Sequence, residues 1–303
     1  MQLGFVSAIL GDLRLEEVLA FARDEGFGCV EVMCWPPGSA DRRYAGVTHL
    51  DVTNFGDDRA GQVRDLLGKY GVTISGLGYY PNPLDPDAEH RRIVGEHLKK
   101  VLDAAARLGV GIVNTFIGRD PAQPLAAQWP RVREVWPPLV RHAENLGVRL
   151  GIENCPMLFS QDEWPGGKNL AVSPAVWREL FEALPSASLG LNFDPSHLIW
   201  QQIDYVRCIR EFGPRIVHVH AKDTRIDRDR LYAAGVLGLG WHVPKLPGLG
   251  EVDWPALFAA LSDAGYRGPV CIEVEDRAYE GSLDDRKRAL RQSKRFLEQY
   301  VSS

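Results

Sequence analysis

Ala-Glu-Asn-Leu-Gly-Val-Arg-Leu-Gly-Ile-Glu-Asn, residues 143–154, carries one complete structural unit: a helix end, a glycine, a short apolar run and a carboxylate where that run stops. Glycine suits the position past a helix because it takes the left-handed backbone conformation without strain. The same punctuation returns at Glu25-Gly26, Tyr70-Gly71, Leu108-Gly109 and Ala264-Gly265, each between helical apolar spacing and a β-prone run. Working outward, strands are expected at Gln2–Ser7, Cys29–Met33, Val72–Leu77, Gly111–Phe116, Val148–Glu153, Leu189–Asp194, Ile216–His220 and Pro269–Val274. Helices are expected at Leu15–Asp24, Arg59–Tyr70, His90–Leu108, Trp129–Leu146, Pro174–Ala183 (N-cap Ser173), Gln201–Phe212, Trp254–Ala264 (N-cap Asp253) and Leu283–Tyr300.

Eight strands in strict alternation with eight helices predict an α/β fold, a (β/α)8 TIM barrel, as one domain over residues 1–303. The segments after strands are long, notably Pro81–Glu89, Cys155–Val172 and Ala221–Glu251, so the carboxyl face carries extended loops. The alternative, a doubly wound open sheet, needs a Gly-rich phosphate turn after the first strand. Ser7-Ala-Ile-Leu-Gly-Asp12 is not one.

Composition narrows the function. Net charge is −5, from 35 basic and 40 acidic residues, whereas a chain that lives on phosphate backbones carries a basic excess; nucleic acid is not an expected partner. No apolar run approaches the roughly 20 residues that span a bilayer, so no membrane partner is expected either. Five cysteines without a Cys-x-x-Cys pair argue against a disulfide framework. The opening Met1–Ser7 runs into a strand without a basic leader, and a cytoplasmic location is the expectation.

The chemistry lies where strands end. Gly-Ile-Glu-Asn at 151–154, Asn-Phe-Asp-Pro-Ser-His at 192–197, His-Val-His-Ala-Lys-Asp at 218–223 and Cys-Ile-Glu-Val-Glu at 271–275 place Glu153, Asp194, His220 and Glu273 at four strand ends. In a parallel barrel such ends converge on one mouth. One such carboxylate alone reads equally well as a structural cap. Three with an imidazole would concentrate negative charge at a cost that a divalent cation removes. Mostly oxygen ligands favour Mn²⁺, with Mg²⁺ or Co²⁺ next and Zn²⁺ behind. Such an ion would polarise a carbonyl and stabilise an enediolate. His218 shares a strand face with His220 but lies deeper, to support the ligand or pack the core. His197, three residues past Asp194, is placed to hydrogen-bond a substrate oxygen. Glu31, His49, Tyr80, Asn114 and Trp241 sit at strand ends or in loops on the same face, as rim packing or as contacts.

Together these motifs resemble the sugar phosphate isomerase/epimerase superfamily, the xylose isomerase-like TIM barrels, whose relatives include D-tagatose 3-epimerase and inosose dehydratase. The resemblance is carried by Glu153-Asn154, Asp194-Pro195-Ser196-His197, His220-Ala221-Lys222-Asp223, Leu-Pro-Gly-Leu-Gly-Glu-Val-Asp-Trp at 246–254 and Gly-Pro-Val-Cys-Ile-Glu at 268–273. It implies that Glu153, Asp194, His220 and Glu273 are metal ligands and that Glu153 and Glu273 are the catalytic proton-transfer carboxylates. It further implies that His197 binds substrate and that Lys222 is an oxyanion or phosphate partner. The chain departs from the ketose 3-epimerases at Phe159 and Ile226, where they carry a substrate glutamate and arginine; Arg225 is only adjacent. The longer insertion Thr224–Lys245, with Tyr232, Trp241 and His242, would make an aromatic lid over a larger substrate such as a keto-glycoside.

The expected function is therefore a metal-dependent isomerase or epimerase acting on a carbohydrate. A lyase, either a dehydratase or a keto-glycoside or C-glycoside cleaving subunit, shares the same proton abstraction. His242 or Lys168 would supply the extra acid an elimination uses. An apurinic-site nuclease would gather more histidines and a basic groove, and a non-catalytic barrel has no use for the anionic cluster. The expected assembly is a homo-oligomer, or a hetero-oligomer in the lyase reading.

Overall fold

Eight parallel strands close on one another in the computed structural model, which describes residues 1–38, 44–157 and 167–301. The strands are β1 (Gln2–Val6), β2 (Cys29–Met33), β3 (Thr73–Gly78), β4 (Ile112–Thr115), β5 (Arg149–Glu153), β6 (Leu189–Phe193), β7 (Ile216–Ala221) and β10 (Pro269–Ile272). Their order around the barrel is β1-β10-β7-β6-β5-β4-β3-β2, so β10, β7, β6 and β5 are consecutive staves of one wall. Helices α1 (Leu15–Asp24), α2 (Asp57–Tyr70), α3 (Ala88–Leu108), α4 (Gln128–Leu146), α5 (Pro174–Ala183), α7 (Tyr205–Phe212), α9 (Trp254–Asp263) and α10 (Leu283–Leu297) alternate with them.

The punctuating glycines do what the sequence implies. Gly26, Gly71, Gly109, Gly147 and Gly265 all adopt φ between 64° and 73°, the left-handed conformation that ends a helix. Most elements fall within two residues of expectation.

Three differences have local causes. The expected helix Gln201–Phe212 is shortened to α7, and a separate helix, α6 (Ser196–Trp200), precedes it: Gln202 stands at φ 57°, and the Asp204 carboxylate starts α7 by accepting from Arg207 N. Ser173 occupies the N-cap of α5, but its side chain makes no capping bond. The segment 221–251 is not simply a loop: β8 (Asp223–Ile226) and β9 (His242–Lys245) pair antiparallel around α8 (Arg228–Ala234).

The barrel interior is crowded with polar side chains, and glycines make the room. A Cβ at Gly151 would lie 2.3 Å from Asn114 Oδ1. At Gly4, between β2 and β10, a Cβ would meet the Cys29 carbonyl oxygen at 2.4 Å and its Sγ at 2.5 Å. Because the nearer atom is backbone, it cannot give way cheaply. Gly4→Ala is therefore expected to destabilise the fold by about 1–3 kcal/mol, measured as a lower melting temperature; an unchanged melting curve would show that β1 can shift outward freely.

Candidate metal centre

The consecutive staves β5, β6, β7 and β10 each deliver one donor at their carboxyl ends. Glu153 closes β5, Asp194 follows β6, His220 is the penultimate residue of β7, and Glu273 follows β10. One donor atom from each lies within 4.8 Å of the other three. Glu153, Asp194 and His220 are buried, and the Glu273 side chain is 20% exposed, so the cluster opens to the mouth on the β10 side.

Two members, His220 and Asp194, are held from behind. His220 Nε2 is 2.7 Å from Glu31 Oε2, which reaches across the barrel from β2. A proton on Nε2 satisfies that carboxylate and turns Nδ1 toward the cluster, 3.5 Å from Glu153 Oε1 and 3.6 Å from Glu273 Oε2. Nδ1 itself makes no hydrogen bond among the described residues. Asn192 Nδ2 also approaches Nε2, at 3.0 Å, but a donor there competes with the carboxylate; its better acceptor is Tyr80 Oη at 3.1 Å. The Tyr80 hydroxyl in turn donates to Glu31 Oε1. Asn154 brackets Asp194, donating to its carbonyl and accepting from its N–H, both at 2.8 Å. Ser196 N donates to Asp194 Oδ1, which leaves Oδ2 facing the cluster.

Electrostatics separates the two outer carboxylates. Burial pushes Glu153 up, but the nearby imidazoles of His197 and His220 and the charge of Lys222 hold it at about 2. Burial also pushes Glu273 up; Lys222 and His220 pull it down, and repulsion from Glu153 and Glu275 helps leave it at about 7. His220 is held well above the ordinary histidine value by Glu31, Glu273 and Glu153, against burial.

The donor set fits a divalent cation: three carboxylates, one imidazole with a fixed back-side hydrogen bond, and an inward nitrogen without a partner. Glu153, Asp194, His220 and Glu273 would hold it. A second grouping shares Glu153 with Cys155 and His197.

The remaining candidates are placed as follows. His197 Nε2 lies 3.2 Å from Asp194 Oδ2 and 3.7 Å from Glu153 Oε1, at the edge of the cluster. His218 is a layer deeper, with Nδ1 3.0 Å from Asn192 Oδ1 and Nε2 3.2 Å from Ser75 Oγ. Lys222 differs from a substrate-facing cation: its ammonium sits among Asp194, Glu273 and Glu275. Asn114 is fully buried between β3 and β5, and its amide makes no hydrogen bond among the described residues. His49 bonds Leu10 O and stands apart from the cluster.

The expected aromatic lid needs correction. Tyr232 is 93% exposed, and Arg225 also faces solvent, whereas Trp241 is buried against Trp200 and Ile226 with its indole N–H donated to Gly238 O. His242 stacks on Trp200 at 4.5 Å. Burial, aided by the charge of His197, lowers it to about 4, so it is neutral near pH 7. Phe159 lies outside the described residues.

Sequence reasoning gave no role to Asn192, nor to Asn154 of the Glu153-Asn154 pair. The signal was present: an amide at the end of a buried apolar run, as in Leu-Gly-Leu-Asn-Phe at 189–193, must find partners inside.

A sequence profile described as xylose isomerase-like TIM barrel matches residues 19–300. The chain belongs to that family. Within it, the protein is 29% identical to the uncharacterized protein YfiH of Bacillus subtilis over 318 aligned residues, covering 91% of this chain and 93% of the relative. It is 28% identical to the rhizopine catabolism protein MocC of Rhizobium meliloti, covering 78% and 73%. An inosose dehydratase of Clostridium perfringens matches at 33% over 91 residues, 28% of this chain and 30% of that one. Among solved structures, the IolI protein with a bound zinc atom superposes with a TM-score of 0.74 at 17% identity, and a D-psicose 3-epimerase with 0.73 at 17%; each pair is covered fully. At that identity the superpositions speak for the fold.

For this xylose isomerase-like barrel, the back-side bond to His220 generates a prediction. Glu31→Ala should weaken Mn²⁺ binding by about 10–100-fold with the far-UV spectrum unchanged, and Glu31→Gln, which keeps an acceptor, should lose less. Calorimetric titration measures both; equal affinities for wild type and Glu31→Ala would remove Glu31 from the centre.

Proposed function

We propose that the protein is a divalent-cation-dependent isomerase or epimerase acting on a sugar or a sugar-like polyhydroxy ketone. The observation that carries this is the convergence of Glu153, Asp194, His220 and Glu273 within 4.8 Å, which sets two glutamates, Glu153 and Glu273, beside the same centre to handle protons. Mn²⁺ is the proposed ion, with Mg²⁺ or Co²⁺ next; Zn²⁺ ranks lower for an oxygen-rich set, although a zinc atom is named in the IolI structure. When bound, the cation supplies Lewis acidity at the substrate's carbonyl and neighbouring hydroxyl oxygens.

The protein's own groups divide the remaining work. Glu153, ionised across the physiological range, takes the proton from the carbon beside the carbonyl. Glu273 hands a proton to the resulting enediolate from the other side. His197, anchored to Asp194, hydrogen-bonds a substrate hydroxyl; His242 adds a neutral imidazole beside it. The covered Trp200–Trp241 pair supports that side of the mouth. Tyr80 acts from beneath through Glu31, and Asn114 is proposed to act through ordered water inside the barrel, since its buried amide needs partners.

A second reading, a lyase, is favoured by the match to inosose dehydratase. The same proton removal is then followed by loss of a β-leaving group. Incubation with ketoses, inososes and 3-keto-glycosides in D₂O with Mn²⁺ separates the two. Deuterium beside the carbonyl with an inverted or moved carbonyl supports isomerisation; release of water or an aglycone supports the lyase.

Glu153→Gln and Glu273→Gln should each lower turnover by about 10²–10⁴-fold with melting behaviour retained. Chelation should abolish activity, and Mn²⁺ should restore it. A near-normal rate for Glu273→Gln sinks its role, and purified protein indifferent to every added divalent ion sinks the whole proposal.

A further inference from the structure

We infer that Lys222 is the built-in counter-cation of this centre: its ammonium holds Asp194, Glu273 and Glu275 together when no divalent ion is bound, and its charge limits how tightly such an ion is held. The second half rests on the cation-dependent reading above; the first half does not.

Lys222 is 3% exposed, and its Nζ lies 3.0 Å from Asp194 Oδ2, 2.5 Å from Glu273 Oε2 and 3.0 Å from Glu275 Oε2. The ammonium donates a hydrogen bond to Glu273 Oε2 and lies at ion-pair distance from Asp194 and Glu275. Its charge is thus turned toward the protein's own carboxylates. Glu275, two residues past Glu273, is not among the four converging donors, so the third ion pair ties the lysine to a carboxylate of its own.

The lysine is also fixed at its root. The next residue, Asp223, accepts from Thr224 N, Gly248 N, Val252 N and Trp254 Nε1 at 2.9–3.0 Å, which pins the backbone between β7 and β8. The ammonium is therefore carried into the carboxylates by the fold. It touches two oxygen atoms, on Asp194 and Glu273, that a divalent ion would also use, so the two cations share ligands and repel. An anionic cluster that lacks any cation is costly to bury, and one with a resident +1 charge is not.

The test uses the full chain with Lys222→Met, Lys222→Arg, Glu275→Gln and the Lys222→Met/Glu275→Gln pair. In chelator, Lys222→Met should melt about 5–10 °C below wild type, Lys222→Arg should recover part of the loss, and the double variant should melt above Lys222→Met. With saturating Mn²⁺ the gap should close. Calorimetric titration with Mn²⁺ should show Lys222→Met binding about tenfold or more tightly than wild type, a gain that a merely structural lysine would not produce.

Unchanged melting of Lys222→Met in chelator overturns the counter-cation role. So does a failure to fold both with and without Mn²⁺ that the double variant shares. Equal or weaker Mn²⁺ binding by Lys222→Met overturns the limit on affinity. Wild-type protein that takes up no Mn²⁺ instead overturns the cation-dependent reading, and the chelator melts still decide on Lys222.

Discussion

Five carboxylates, Glu31, Glu153, Asp194, Glu273 and Glu275, gather around the imidazole of His220 and the ammonium of Lys222 at one end of a closed barrel. Like charges at these separations repel strongly in a water-poor interior, and the surrounding architecture is organised to contain that repulsion. Glu31 and Glu153 lean on His220, while Asp194, Glu273 and Glu275 lean on Lys222. Each cation serves several anions, so removing one residue changes the balance at the others. The outer pair then separates naturally: Glu153, beside His197, His220 and Lys222, stays ionised, and Glu273, repelled by Glu153 and Glu275, keeps its proton longer.

Barrel closure makes this arrangement possible. The four converging donors come from adjacent staves, β5, β6, β7 and β10, so neighbouring strand ends set their spacing. Glu31 and Tyr80 belong to the opposite wall, β2 and the turn after β3, and reach His220 across the interior. An open sheet would have no opposite wall. The glycines inside the barrel are the counterpart of these long polar reaches: at Gly78 a Cβ would meet Glu31 Oε1 at 2.7 Å, so the carboxylate occupies space that the absent side chain leaves.

The fold was legible because its signals are local. Gly26, Gly71, Gly109, Gly147 and Gly265 mark helix ends by backbone conformation alone, and that preference does not depend on tertiary context. The convergence of Glu153, Asp194, His220 and Glu273 was legible because strand ends in a parallel barrel share one face. Less legible were features set by the direction of a side chain across space. Lys222 looks like a free cation in His-Ala-Lys-Asp until its distances to three carboxylates are known. Glu31 looks like one more strand-end residue until it is seen to bond the back of His220. The hairpin β8–β9 escaped because its strands hold four residues each, carry Pro244 and lack a steady apolar alternation, so pairing rather than pattern defines them.

That hairpin bears directly on the substrate side of the mouth. His197 and Trp200 lie three apart on α6, a spacing that puts them on neighbouring parts of one helical face. Trp200 stacks on His242 at 4.5 Å and meets Trp241 edge-on, so the helix that carries His197 is fastened to β9. At its other end, His197 is tied to Asp194 at 3.2 Å. His197, proposed above to bind substrate, is thus positioned by two independent devices, one shared with the anionic cluster and one belonging to the hairpin. The hairpin's root is pinned separately, through Asp223. Changes of sequence at its exposed tip, around Tyr232, Val236 and Leu237, leave both devices untouched. Changes at Trp241 or His242 act on the contacts that hold α6, which carries His197, whereas Glu153, His220 and Glu273 are carried by the barrel strands and their ends. Under the proposed function, such a division would let one cation-binding geometry serve substrates of different shape.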